Sequence, residues 1–209
     1  MYNFTFNIPT KIHFGKDTIS SLSELKAYGS KVLLVYGGGS IKKNGLYDTA
    51  MKILKDAGLT VFELSGVEPN PKIETVRKGV EICKNEGIDM VLAIGGGSTI
   101  DCSKVVAAGA KYDGDAWDLV LDGSKVKAAL PIFDVLTLSA TGTEMDPFAV
   151  ISDMSKNEKW GTGSPYMVPT MSILNPEYTF SVSKKQTAAG TADMMSHTME
   201  NYFSMEKKG

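Results

Sequence analysis

The chain has 209 residues, 43% of them hydrophobic and 22% charged, with a formal net charge of −2. That balance belongs to a globular protein with a substantial core and room for one domain or slightly more. It excludes a basic face for nucleic acid, because Lys42-Lys43, Lys184-Lys185 and Lys207-Lys208 are isolated pairs, and no stretch reaches the roughly 20 apolar residues of a membrane span.

Phe4, Phe6 and Ile8, then Lys11 to Phe14 after Pro9-Thr10, alternate as two short strands closed by Gly15. This start lacks a basic segment and a long apolar core, so no targeting signal is expected. Helical spacing runs from Thr18 to Leu25. Lys31 to Tyr36 is a buried strand that breaks into Gly37-Gly38-Gly39-Ser40, followed by a helix from about Leu46 to Ala57. Thr60 to Leu64 is the next strand, Pro69-Asn70-Pro71 a rigid turn, and Lys72 to Glu86 a helix. Met90 to Ile94 then repeats the first pattern: an apolar strand breaks into Gly95-Gly96-Gly97-Ser98-Thr99-Ile100-Asp101, and Cys102 to Ala110 carry helical spacing. Two cysteines, Cys83 and Cys102, fall on apolar helical faces; they are too few for a disulfide framework and read as buried thiols of a cytoplasmic protein.

Asp113 to Val126 reads as a loop around Trp117. Ile132 to Leu138 is a strand ending in the hydroxyl-rich Ser139-Ala140-Thr141-Gly142-Thr143-Glu144, which could hydrogen-bond a ligand or simply close a loop. Ala149 to Ser152 and Met171 to Leu174 read as strands flanking a polar flap with Lys156, Lys159, Gly161 and Gly163. Ser183 to Gln186 fits a capping box opening a helix to about Met205, with Ala188, Ala192, Met195, Met199 and Tyr202 as its apolar stripe.

The strand-helix alternation with short connections predicts an α/β fold, a Rossmann-like parallel sheet with helices on both faces. Glycines at a strand-to-helix junction let the backbone approach an anion, and the amides and dipole of the following helix favour it. Only Gly95 and Gly97 fit the G-x-G-x-x-G fingerprint, with Ile100 in the third glycine's place, so that turn taken alone reads equally as a phosphate site or an ordinary β-to-α connection. Both turns lie at the carboxyl ends of their strands, however, where such sheets bind ligands, and together they predict a nucleotide site. On the last helix Asp193 and His197 are four residues apart, one above the other. That is either an exposed pair or half of a metal site, which wants at least three protein donors. The other histidine, His13, reads as a packed or surface residue.

Taken together, Pro9 to Gly15, Tyr36 to Gly45, Glu68 to Pro71, Gly95 to Asp101, Leu136 to Glu144, Asn175 to Tyr178 and Asp193-x-x-x-His197 resemble the N-terminal half of an iron-containing (group III) alcohol dehydrogenase, in its butanol-dehydrogenase and aldehyde-reductase branch. The resemblance implies a dinucleotide-binding α/β domain over residues 1–180 and the first helix of a truncated all-helical metal-binding domain over 181–209. It implies cofactor contacts from Gly37, Gly38, Gly39, Ser40 and Lys43 at the first turn and Gly95, Gly96, Gly97, Ser98 and Asp101 at the second. Thr137, Ser139 and Thr141 would line the cofactor, Lys159 would reach its ribose, and Tyr178 would sit beside the nicotinamide. Asp193 and His197 would be two ligands of a divalent metal, Fe2+ or else Zn2+, whose remaining histidines this chain lacks.

The implied chemistry is hydride transfer between a nicotinamide and a small primary alcohol or aldehyde, with the metal as Lewis acid and no separate general base. With half a metal site, the 209-residue chain is expected to be inactive alone, and its uncovered apolar face to favour self-association or a protein partner. Because the first turn carries a hydroxyl and lysines and no acid, NADP(H) is expected over NAD(H). A non-catalytic nucleotide-binding module that needs a partner chain is the alternative. A relative of dehydroquinate synthase is a third reading, disfavoured by Leu136 to Glu144 and Asn175-Pro176.

Overall fold

Apolar runs rich in Val, Ile and Leu supply the strands. The computed structural model describes residues 3, 5 and 7–204. Within them β1 is Lys11–Phe14, β2 Lys31–Tyr36, β3 Thr60–Leu64, β4 Met90–Gly95, β5 Ile132–Leu136, β6 Phe148–Asp153, β7 Glu158–Gly163 and β8 Met171–Leu174. The helices are α1 Ser40–Lys43, α2 Leu46–Asp56, α3 Ile73–Glu86, α4 Gly97–Gly109, α5 Ala116–Leu121 and α6 Lys184–Phe203. A six-stranded sheet runs in the order β1-β8-β5-β4-β2-β3, with every pairing parallel, while β6 and β7 form a separate antiparallel hairpin.

A parallel sheet must be covered on both faces, because its crossovers place helices there. Alternate residues of the strands feed two cores. Leu33, Val35 and Val91 pack under α3, α4 and α5 with Val76, Cys83, Cys102 and Val106. Val32, Leu34, Leu92 and Ile94 pack under α2 and a 3-10 segment with Leu22, Leu25 and Leu54. The fold class is therefore the one expected.

Several local expectations are corrected. Thr18–Tyr28 winds as 3-10 helix. The segment expected as a loop around Trp117 contains α5, whose Asp115 side chain caps the Trp117 amide and whose Trp117 is buried. β5 stops at Leu136, two residues early. The polar flap is a paired hairpin, with Ile151 opposite Trp160, and it is tied to the body where the Ser152 amide donates to the Pro71 carbonyl. The stripe on α6 is exposed among the described residues: that helix has no buried residue. Ile8 belongs to no strand, and Phe4, Phe6 and Met205 lie outside the described residues. Both cysteines are buried free thiols, pushed up to about 12 by desolvation, which leaves them protonated and unreactive.

One carboxyl group sits inside the sheet. Asp134 of β5 is almost fully buried, and its Oδ2 pairs with the Ser172 hydroxyl of β8 at 2.5 Å. Ser172 Oγ is also 2.7 Å from the Glu144 carbonyl oxygen. Burial raises Asp134 well above the ordinary carboxylate range. A protonated Asp134 can donate to Ser172, which then donates to Glu144, so each proton has an acceptor. Above the unfolded carboxyl's titration the unfolded chain has lost this proton and the native chain has kept it, so stability falls as pH rises toward the native pKa. Urea unfolding between pH 4 and pH 8 should show this fall, and Asp134→Asn should flatten it. A pH profile unchanged by the substitution would contradict the assignment.

Candidate functional site

Register fixes the site. Tyr36 at the end of β2 lies beside Ile94 near the end of β4, so Gly37-Gly38-Gly39 and Gly95-Gly96-Gly97 leave the sheet side by side. From β2 the chain crosses outward to β3, and from β4 it crosses the other way to β5. That reversal leaves a crevice between the two turns, the place where open α/β sheets bind ligands.

At the first turn the Gly37 carbonyl accepts from the Gly66 amide, and Gly39 adopts φ 100°, a left-handed conformation that leads into α1. At the second, the Gly96 carbonyl accepts from the Thr99 and Ile100 amides and opens α4, whose end has no side-chain cap. Its first amides are therefore available to an anion, with the helix dipole behind them. A side chain at Gly95 would collide with Thr99. Ile100, in the third glycine's place, is fully buried against Ala93 and Leu136, which accounts for the missing glycine.

The hydroxyl-rich segment lies against this turn. The Thr137 amide donates to the Gly95 carbonyl at 2.9 Å, and a Cβ on Gly97 would lie 3.4 Å from Thr141 Oγ1. Ser40, Gly96, Thr137 and Tyr178 share one cleft of about 380 Å³, with Gln186 of α6 on its far wall. Desolvation raises the Tyr178 phenol above its ordinary value. Ser139 faces two neighbouring clefts of about 210 and 220 Å³ instead. Ser98 Oγ accepts from the Asn70 amide at 3.2 Å, and Asn70 Oδ1 accepts from Lys159 Nζ at 2.7 Å, which brings the hairpin lysine to the second turn.

Two residues behave in ways the sequence pattern did not anticipate. Asp101 turns both oxygens to protein donors, accepting from Thr143 Oγ1 at 2.7 Å and from the Val150 amide at 2.9 Å. Lys43 extends into solvent, while Lys42 lies 5.0 Å and 4.5 Å from the ring centroids of Tyr36 and Tyr47. Those two phenols donate to Glu63 of β3 at 2.6 and 2.9 Å and, Tyr36 first, hold its carboxyl below the usual carboxylate range. An acid therefore does belong to the cluster beside the first turn. It lies one strand away in space and 23 residues beyond Ser40, so reading the turn itself could not find it.

Also unanticipated is Lys104, fully buried on α4, whose Nζ reaches Thr143 Oγ1, Asp146 Oδ1 and the carbonyls of Asp146 and Phe148 at 2.8 to 2.9 Å. Desolvation lowers its pKa from the ordinary lysine value, and Asp146 opposes the shift. A lone lysine directly before the apolar run Val105 to Ala108 was the available signal.

Asp193 Oδ1 and His197 Nε2 are 3.7 Å apart on an exposed face of α6. The helix crosses the hydroxyl-rich segment through Thr187, Gly190, Thr191 and Met194, which line a cleft with Leu138 and Ser139. An oxygen and an imidazole nitrogen one turn apart suit a divalent ion, yet no group of three or more metal-binding side chains occurs among the described residues. The donors fit the ion as part of a set. His13 sits on edge strand β1, 3.2 Å from Glu24.

Comparison with known proteins agrees with this geometry. A family model described as iron-containing alcohol dehydrogenase matches residues 9–176. The NADH-dependent butanol dehydrogenase A of Clostridium acetobutylicum is 62% identical over 205 residues, covering 98% of this chain and 53% of that protein. The NADPH-dependent aldehyde reductase YqhD of Escherichia coli is 40% identical over 205 residues, covering 97% of this chain and 52% of that protein. The crystal structure of the NADH-dependent butanol dehydrogenase A of Thermotoga maritima superposes with a TM-score of 0.93 at 49% identity, covering 97% of this chain and 52% of that one. The chain spans about half the length of the curated relatives it matches. With the match running from β1 through both glycine turns to Pro176, the chain belongs to the iron-containing alcohol dehydrogenase family.

Proposed function

We propose that the chain is the dinucleotide-binding part of an oxidoreductase that interconverts small primary alcohols and aldehydes. The observation that carries this reading is the pairing of two glycine turns on adjacent strands at the point where the sheet reverses direction. The amides of Gly96 to Ser98 and the α4 N-terminus would hold a pyrophosphate. Gly37 to Ser40 would take the adenosine end, and Thr137, Thr141 and Tyr178 would order the nicotinamide end. Lys159, held by Asn70, would reach a ribose hydroxyl. Bound dinucleotide supplies the hydride, and a divalent ion, iron or zinc, supplies Lewis acidity at the substrate oxygen. Asp193 and His197 would donate two ligands to that ion, and Asp101, engaged with Thr143 and Val150, serves by fixing the segment that lines the cleft.

Cofactor choice follows from the first turn. Ser40 and Lys43 are open to solvent and suit a 2′-phosphate, which supports NADP(H). Lys42 is taken up by Tyr36 and Tyr47, and the Glu63 carboxylate in the same cluster opposes added negative charge. The relatives named NADH-dependent butanol dehydrogenases are 55 to 62% identical and the NADPH-dependent aldehyde reductase 40%. The balance moves to NADH binding at least as tightly as NADPH.

Two metal donors do not close a coordination shell, so the chain by itself is expected to bind dinucleotide without turning over substrate. A nucleotide-binding module that works with a partner chain shares this expectation, favoured by the uncovered Met195, Met199, Tyr202 and Phe203 of α6. A cytoplasmic location is the reading that the two buried free cysteines support. Fluorescence titration with NADH and NADPH, followed by an assay with butanal and Fe2+ or Zn2+, tests the proposal. Saturable binding of NADH, at least as tight as NADPH and without loss of nicotinamide absorbance on adding butanal, is expected. Absence of binding contradicts the dinucleotide reading, tighter binding of NADPH contradicts the cofactor choice, and turnover contradicts the incomplete metal site.

A further inference from the structure

Among the described residues, one of the largest fully buried side chains is a lysine, Lys104, and none of the roles above uses its charge. Removing an ammonium from water is costly unless it is well paired. Here four acceptors crowd its nitrogen: Thr143 Oγ1, Asp146 Oδ1, and the carbonyl oxygens of Asp146 and Phe148. Three belong to the segment between β5 and the β6–β7 hairpin, and the fourth, the Phe148 carbonyl, to the first residue of β6. One turn earlier on the same helix, Asp101 accepts from Thr143 Oγ1 and from the Val150 amide. The hydroxyl of Thr143 therefore accepts from Lys104 and donates to Asp101, and each of the three side chains determines the direction of the next.

The segment gripped in this way also borders the cleft. Residues 137–141 touch the second glycine turn through Thr137, Leu138 and Thr141, and the ammonium and carboxylate of α4 hold the residues that follow. The grip comes from α4 itself, the helix whose opening turn faces the crevice, so anion-binding amides and segment are set by one rigid element.

We propose that Lys104, acting through Thr143 and Asp101, is a positioning residue that fixes the Thr137–Thr143 segment against the second glycine turn and so sets affinity for the nicotinamide half of the cofactor. The inference rests on the dinucleotide reading above. It separates two parts of the ligand. Adenosine and diphosphate contact the glycine turns, which form without Lys104; the nicotinamide riboside contacts the segment, which depends on it.

The test compares NADH with ADP, a probe that carries the adenosine and diphosphate alone. Lys104→Met takes the buried donor from Thr143 Oγ1 and from the Asp146 and Phe148 carbonyls and leaves Asp146 Oδ1 only the Phe148 amide, which can unfold the chain, so Thr143→Val, nearly equal in volume, is the deciding variant, with circular dichroism confirming its fold. Loss of a hydrogen bond to a charged group that orders a contact surface weakens binding about tenfold. The NADH dissociation constant of Thr143→Val should therefore rise about tenfold, with that of ADP changed by less than about twofold, and folded Lys104→Met should exceed it in the same direction. An unchanged NADH constant, or equal weakening of NADH and ADP, overturns the proposal. If the unsubstituted chain binds neither ligand, the dinucleotide reading fails and this inference fails with it; if it binds both and Thr143→Val leaves their ratio unchanged, only this inference fails.

Discussion

Everything in this structure depends on the pairing of β2 with β4. Five residue pairs, from Val32 with Met90 to Tyr36 with Ile94, hold two almost wholly buried strands in parallel register. Parallel strands need crossovers, and here the two crossovers that follow the glycine turns leave on opposite sides. A slip of one residue would exchange the two core faces, turning Leu33 and Val35 into the core that Val32 and Leu34 fill and the reverse. Because that slip is so costly, the ends of the strands are pinned, and the two glycine turns are held side by side as a consequence of core packing.

Polar groups buried behind the crevice are held to a stricter condition. Lys104, Asp101, Thr143 and Asp146 interlock on the α4 side, while Asp134, Ser172 and the Glu144 carbonyl interlock between β5 and β8. Both sets close on the stretch from Thr143 to Asp146. Buried polar atoms are costly when unmatched, so networks of this kind admit one arrangement of the backbone they hold. A segment that would otherwise be a mobile polar loop is in this way given a defined shape beside the site. The hairpin is held in the same way, tied down through Val150, Ser152 and Lys159.

The sheet was legible because its signal is local. Val, Leu and Ile runs ending in glycine announce buried parallel strands, and both Gly-Gly-Gly-Ser turns fall where the pattern places them. Ser40, Gly96, Thr137 and Tyr178, implied by resemblance to the family, do share one cleft. What the sequence concealed is set by contacts distant along the chain. Trp117 sits in a stretch poor in helical spacing, and its helix forms around an Asp115 cap and a buried indole. Glu63 joins the first turn only across β3, and Lys104 finds its acceptors about 40 residues away. The stripe on α6 illustrates the converse: helical spacing marks an apolar face and says nothing of what covers it.

The central claim is that the two glycine turns form one dinucleotide site. Amide hydrogen exchange of the chain with and without saturating NADH tests it directly, because exchange reports opening segment by segment. The account predicts slowed exchange together in the peptides spanning Gly37–Ile41 and Gly95–Ile100, with the α3 and β3 peptides unchanged. Protection at only one turn, or protection confined to residues away from both, would contradict it.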